Sequence, residues 1–79
     1  MPQQLRLTAV EELVYVAATG LEARGEIPYL AAIARETGLP QEQLGQPLHE
    51  LTEKNLLHRE ETPVEGTDLG PRWCTQQRT

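Results

Sequence analysis

The chain has 79 residues, with twelve acidic and seven basic side chains and a net charge of −5. This length allows one domain with one core and excludes two. The single cysteine and the lack of an apolar leader are typical of a cytoplasmic protein, and no apolar run approaches the roughly 20 residues that span a bilayer. An acidic surface opposes nonspecific contact with nucleic acid, so composition alone favours a protein or small-molecule partner.

The first predicted helix begins at Thr8, where Thr8-Ala9-Val10-Glu11 fits a capping box. It ends near Arg24-Gly25, because glycine commonly follows a helix C-terminus. Apolar residues at helical spacing predict one buried face, formed by Val10, Leu13, Val14, Ala17 and Leu21. Gly20 lies inside this helix and predicts close packing against another helix.

A second predicted helix follows an extended link at Glu26-Ile27. Pro28 opens this helix and Gly38 closes it, as is typical of proline and glycine at helix ends. Its apolar stripe consists of Leu30, Ile33 and Ala34.

A third predicted helix continues to Lys54-Asn55, where Asn55 tolerates a left-handed conformation. Its apolar stripe consists of Leu44, Leu48 and Leu51. Pro47 interrupts this pattern, because proline removes a backbone donor and crowds the preceding turn. Either a continuous helix kinks at Pro47, or residues 41–45 form a separate turn and the helix starts at Gln46-Pro47. We favour the second arrangement, because proline is tolerated in a first turn.

The pattern changes to two short strands after Asn55. Residues 56–60 are predicted to leave the third helix as a strand, and residues 72–76 to return. Residues 62–71 are rich in glycine and proline, which is typical of a turn. The sequence therefore predicts one domain over residues 1–79, with its core at about residues 8–76, mainly α with a small β-hairpin.

Two segments, Ile33-Ala34-Arg35-Glu36-Thr37-Gly38-Leu39 and Leu48-His49-Glu50-Leu51-Thr52-Glu53-Lys54-Asn55-Leu56-Leu57, carry a family resemblance. They resemble bacterial winged helix-turn-helix regulators, in the broad style of the multiple-antibiotic-resistance and arsenic-repressor groups. The resemblance covers about two-thirds of the chain and concerns core and turn positions. It implies three helices with a wing, and double-stranded DNA as the partner of the third helix and the wing.

A narrower similarity concerns Gly70-Pro71-Arg72-Trp73, which looks like the wing of Z-alpha domains, binders of left-handed nucleic acid. That family uses an Asn and a Tyr on its third helix. Gly45 and His49 stand at the matching positions here, and the basic residues that begin that helix are replaced by Gln41 and Glu42.

Polar side chains on the third helix are the candidates for contacts with bases. Its exposed face is predicted to carry Gln41, Glu42, Gln43, Gln46, His49 and Glu50. Glutamine pairs with the edge of adenine, and histidine reaches a guanine edge or a phosphate. The predicted DNA-binding residues of this helix are therefore Gln41, Gln43, Gln46 and His49. The competing interpretation is a solvated polar face, because Glu42, Glu50 and Glu53 outnumber Lys54.

Arg59 and Arg72 are the candidates for contacts with the phosphate backbone. Antiparallel strands predict that they lie close together at the base of the wing. The competing interpretation is pairing with acidic residues of the hairpin, namely Glu60, Glu61, Glu65 or Asp68. Trp73 is predicted to pack the returning strand onto the first and third helices, and Cys74 to face the other way.

The sequence predicts no catalytic, metal or cofactor site. The chain has no serine and no glycine-rich phosphate loop. It contains two histidines, His49 and His58, and a single cysteine. The leading prediction is a DNA-binding transcriptional regulator that forms a homodimer through its first helix, at Tyr15, Val16 and Ala18. The alternative is an interaction module whose acidic face docks a basic protein partner.

Overall fold

Three helices and a two-stranded hairpin make up the part of the chain described by the computed structural model, residues 7–61 and 70–75. The helices are α1 (Ala9–Ala23), α2 (Leu30–Thr37) and α3 (Gly45–Glu53), with a 3-10 turn at Gln41–Gln43 before α3. The strands are β1 (Leu57–Glu60) and β2 (Arg72–Thr75). This confirms the mainly α fold with a small hairpin. The predicted lead-in, most of the wing loop and Gln76 lie outside the described residues.

The ends of α1 follow from local chemistry, as predicted. The Thr8 hydroxyl accepts a hydrogen bond from the Glu11 amide, and the Glu11 carboxylate accepts one from the Thr8 amide, both at 3.1 Å. The helix ends at Ala23, and Gly25 has a φ of 79°. A residue with a side chain is strained at such a φ, which explains the glycine.

The buried side of α1 differs in part from the prediction. Val14, Ala17 and Leu21 are buried, whereas Val10 and Leu13 are each 43% exposed. Ala18, which the sequence assigned to a dimer surface, is fully buried. Because α1 is apolar around most of its circumference, helical spacing alone does not determine which side faces the rest of the domain.

The core lies where α1 meets α2, α3 and β2. It is formed by Val14, Ala17, Ala18, Leu21, Ile33, Leu44, Leu48, Leu51, Leu57 and Trp73. The predicted stripe of α3 is therefore confirmed, and Trp73 is buried as predicted. Leu30 and Ala34 of α2 are half-buried and pack against the core.

Gly20 does not pack against another helix within residues 7–61 and 70–75. A Cβ atom at this position would meet nothing within 4 Å. The prediction of close packing is therefore wrong within the domain.

The second helix begins two residues later than predicted, at Leu30 with Tyr29 as its N-cap. Pro28 instead binds the hairpin, because its carbonyl accepts a hydrogen bond from the Trp73 amide at 3.0 Å. Tyr29 and Arg72 form an isolated antiparallel bridge. The link before α2 thus attaches β2 to the helical part of the domain.

The approach to α3 follows the favoured arrangement, a separate turn and then a helix. The helix starts at Gly45, one residue earlier than predicted, so Pro47 lies within its first turn. The amides of a first turn have no partner inside the helix, so the missing amide of proline does no harm there. At the other end Asn55 has a φ of 61°, as predicted.

A buried carboxylate connects the start of α1 to the end of α3. Glu11 is 6% exposed, and its Oε1 accepts a hydrogen bond from Lys54 Nζ at 2.7 Å. The hydrogen bond from Lys54, followed by that from the Thr8 amide, lowers the pKa of Glu11 from its ordinary value. The capping residue is therefore also part of a contact between two distant helices.

Candidate nucleic-acid interface

One side of α3 packs into the core and the other is open to solvent. Leu48 and Leu51 are buried, whereas Gln46, His49 and Glu53 are exposed. Gln41 and Gln43, which the sequence placed on the same helix, lie exposed in the preceding 3-10 turn.

Gln46 already has a partner on its own helix. Its side-chain amide nitrogen donates a hydrogen bond to the Glu50 carboxylate at 3.1 Å, one turn further along. Glutamine needs both its amide nitrogen and its oxygen to pair with adenine. A base contact by Gln46 therefore requires that this bond to Glu50 be broken.

A groove between α3 and the hairpin brings His49 and Arg59 together. It is lined by Gly45, Leu48, His49, Thr52, Arg59 and Trp73. Arg59 faces Trp73 across the two strands, and its guanidinium carbon lies 5.8 Å from the centroid of the Trp73 ring. The guanidinium therefore lies over the ring of another residue that lines the groove.

Arg72 does not lie beside Arg59. The strand register pairs Arg59 with Trp73 and Glu60 with Arg72. Cross-strand partners point to the same side of a sheet and successive residues to opposite sides, so the two arginines leave opposite faces of the hairpin. The prediction that the two arginine side chains lie close together is therefore wrong, because Arg59 pairs with Trp73 and Arg72 with Glu60.

Every arginine and lysine within residues 7–61 and 70–75 forms an ion pair with a carboxylate. Arg59 pairs with Glu61 at 3.3 Å, and Arg72 lies 3.9 Å from Glu60. The other pairs are Arg24 and Arg35 with Glu26 and Glu36, and Lys54 with Glu11. A phosphate group at this surface must therefore compete with carboxylates for each of these cations.

Cys74 lies on the face of the hairpin opposite Trp73, as predicted, and is half-buried. Burial, followed by the nearby charge of Glu22, raises the pKa of its thiol. A raised pKa leaves little thiolate at neutral pH, which makes this cysteine a weak nucleophile. The register places His58 opposite Cys74, a neighbour that sequence separation does not reveal.

Residues 7–61 and 70–75 contain no group of three or more His, Cys, Asp or Glu side chains that could hold a metal ion. In the same part of the chain, no helix combines the length and apolar character needed to cross a bilayer.

Three helices, a short turn before the third, and a hairpin whose tryptophan belongs to the core define a winged helix-turn-helix domain. The fold agrees with that of a mutant of ZitR from Lactococcus lactis, with a TM-score of 0.68 at 15% identity. The match covers 98% of this chain and 48% of that protein, so the chain spans about half the length of ZitR. No family model and no curated protein matches the sequence.

Proposed function

We propose that this domain binds double-stranded DNA through α3 and the wing and acts in transcriptional regulation. The observation that carries the proposal is the groove in which His49 and Arg59 meet. In helix-turn-helix domains the recognition helix enters the major groove of DNA, and α3 stands at that position in this fold.

The roles of the side chains follow from their positions. Arg59 contacts a phosphate, because it stands exposed at the edge of the groove and lies over the Trp73 ring. His49 and Gln46 read base edges from the exposed side of α3. Gln41 and Gln43 contact the adjacent part of the DNA from the 3-10 turn before α3. Arg72 is half-buried on the other face of the hairpin, so its contribution to DNA binding is smaller.

The carboxylates beside these groups limit affinity. Glu61 holds Arg59 and Glu50 holds Gln46, and each bond must be exchanged for a bond to DNA. Glu42 and Glu53 add negative charge to the same side. We therefore expect weak binding with a shallow dependence on salt, since few phosphates are neutralised.

The first experiment is a titration of duplex DNA at two salt concentrations, with a matched pair of arginine variants. Arg59→Ala should weaken binding to all sequences and lower the salt slope by about one. Arg35→Ala removes the same charge from the exposed side of α2, so it serves as the control and should change binding little. Equal losses in the two variants would mean that net charge, and not this groove, governs the affinity.

A second variant tests whether the carboxylate competes with DNA. Glu61→Gln removes the partner of Arg59 while it leaves the arginine in place. The proposal expects tighter binding in this variant, and Glu50→Gln should act in the same direction through Gln46. Unchanged affinity in both variants would contradict the roles given to Arg59 and Gln46.

A second candidate function is favoured by the ion pairs. Because each described cation already has a carboxylate partner, the acidic side chains of α3 and of the turn before it suit a basic protein better than a phosphate. This alternative expects no affinity for duplex DNA even at low salt. It also expects that a basic partner is lost when Glu42, Glu50 and Glu53 are changed to Gln, whereas the DNA proposal expects the same triple variant to bind DNA more tightly.

A further inference from the structure

The side of α1 that faces away from the core carries a regular apolar seam. Its residues are Ala9, Leu13, Val16, Gly20 and Ala23, at spacings of four, three, four and three. This is the heptad spacing of a two-helix coiled coil. Leu13 is 43% exposed and Val16 is 57% exposed, so nothing in the described domain covers the middle of the seam.

Gly20 gives an independent sign that another helix approaches this side. Glycine destabilises a helix interior relative to alanine, so its presence needs a reason. Neither a positive φ nor a close neighbour supplies one, because a Cβ atom would meet nothing within 4 Å. A helix from outside the domain that lies directly against position 20 would supply that reason, because only glycine lets two backbones come so close.

We propose that α1 pairs with α1 of a second copy of this chain in antiparallel orientation. The alignment that sets Leu13 against the second copy's Val16 also sets Ala9 against its Gly20. The two bulky layers then lie at the centre and the two small layers at the ends, and the seam is complementary to itself. This inference concerns assembly and does not depend on the proposal of DNA binding.

The charges of α1 favour the antiparallel orientation. Glu11 and Glu12 lie in the first turn, and no basic residue lies in the last. Parallel pairing would bring the two acidic first turns to the same end and align the two helix dipoles side by side. Antiparallel pairing separates these first turns. The core-facing side chains Val14, Ala18 and Leu21 are not disturbed, because they lie on the other side of the helix.

The test is sedimentation velocity without DNA, over a concentration range of about 1 μM to 1 mM, since a single helix pair is a small interface. The wild-type chain should pass from monomer to dimer in this range. Val16→Lys should weaken association at least about tenfold. The introduced ammonium group can pair with Glu12 one turn earlier, so the helix itself is retained, which circular dichroism checks.

A lysine placed elsewhere is the control. Ile27 is 37% exposed and lies in a shallow cleft beside Glu22 and Glu26. Ile27→Lys should leave association unchanged. A wild-type chain that stays monomeric throughout, or equal association in Val16→Lys and wild type, would overturn the proposal.

A mixture of two variants tests the orientation. Leu13→Glu and Val16→Lys should each associate poorly with itself. In the antiparallel alignment a mixed pair brings the new glutamate of one chain against the new lysine of the other and keeps one contact between Leu13 and Val16, so mixing should restore dimers. Parallel pairing gives no such contact, and failure of the mixture to associate would overturn the antiparallel register.

Discussion

Leu51 shows how much of the stability of this domain depends on one side chain. It is fully buried among the leucines of α3 and the residues of α1. Leu51→Ala should lower the free energy of unfolding by about 2–5 kcal/mol, because it removes apolar contacts and leaves a cavity. Since small domains have only about 5–15 kcal/mol in total, the variant should melt far below wild type.

The control for Leu51 is an exposed aliphatic side chain. Ile27→Ala should lower the free energy of unfolding by only about 1 kcal/mol, because Ile27 is 37% exposed and lies outside the core. Thermal melts followed by circular dichroism compare the two variants. A Leu51→Ala melt that coincides with that of Ile27→Ala would contradict the core described above.

Individual residues also show what the sequence could predict. Thr8, Gly25 and Asn55 were predicted correctly, because their conformations depend on neighbours within a few positions. The burial of Glu11 was not predicted, because its partner Lys54 lies 43 residues away. The exposure of Val10 likewise depends on where α2 and α3 pack, and the spacing of apolar residues within α1 does not indicate this.

Among the elements, α3 contains a proline whose effect on the helix can be tested. Pro47 lies in the first turn after the 3-10 turn, where no helical hydrogen bond is lost. Pro47→Ala should therefore leave the helix content unchanged. It should lower stability slightly, by about 1 kcal/mol, because alanine makes the unfolded chain more flexible. A clear rise of the helical signal in far-ultraviolet circular dichroism would mean that proline had been kinking a longer helix.

The hairpin shows which part of the candidate interface could not be predicted from the sequence. The residue types of both strands indicate strands, and the structure has them at Leu57–Glu60 and Arg72–Thr75. Which residues face each other depends on the register, and ten or more residues between the strands leave it open from the sequence alone. A shift of one residue would have placed Arg59 beside Arg72 rather than beside Trp73. The groove with His49 therefore emerged only from the structure.

For the domain as a whole, the ion pairs act as connections between elements. Arg24 at the end of α1 pairs with Glu36 of α2 at 3.0 Å, and Lys54 at the end of α3 pairs with Glu11 of α1 at 2.7 Å. Arg35 and Arg24 both reach Glu26 in the link between α1 and α2. The first two pairs link α2 and α3 to opposite ends of α1, and only the pair of Lys54 with Glu11 is largely shielded from solvent.

These pairs predict that the domain loses stability in acid. The hydrogen bonds from Lys54, Arg35 and Arg24 lower the pKa values of Glu11, Glu26 and Glu36, respectively, below their ordinary 4.5. The unfolded chain then takes up protons before the folded chain does, so stability is fully present above pH 4.5 and falls as the pH drops through the lowered values. Melting temperatures measured from pH 7 to pH 3 should decline over the lower part of this range.

The buried pair should account for more of this decline than the exposed ones. Lys54→Met removes the cation beside Glu11, so the variant should be less stable at neutral pH and should lose less on acidification than wild type. Arg35→Met removes an exposed partner of Glu26 and should change both quantities little, because solvent screens such pairs. Parallel acid profiles for wild type and Lys54→Met would show that the carboxylate of Glu11 does not couple α1 to α3, and would assign the capping box a purely local role.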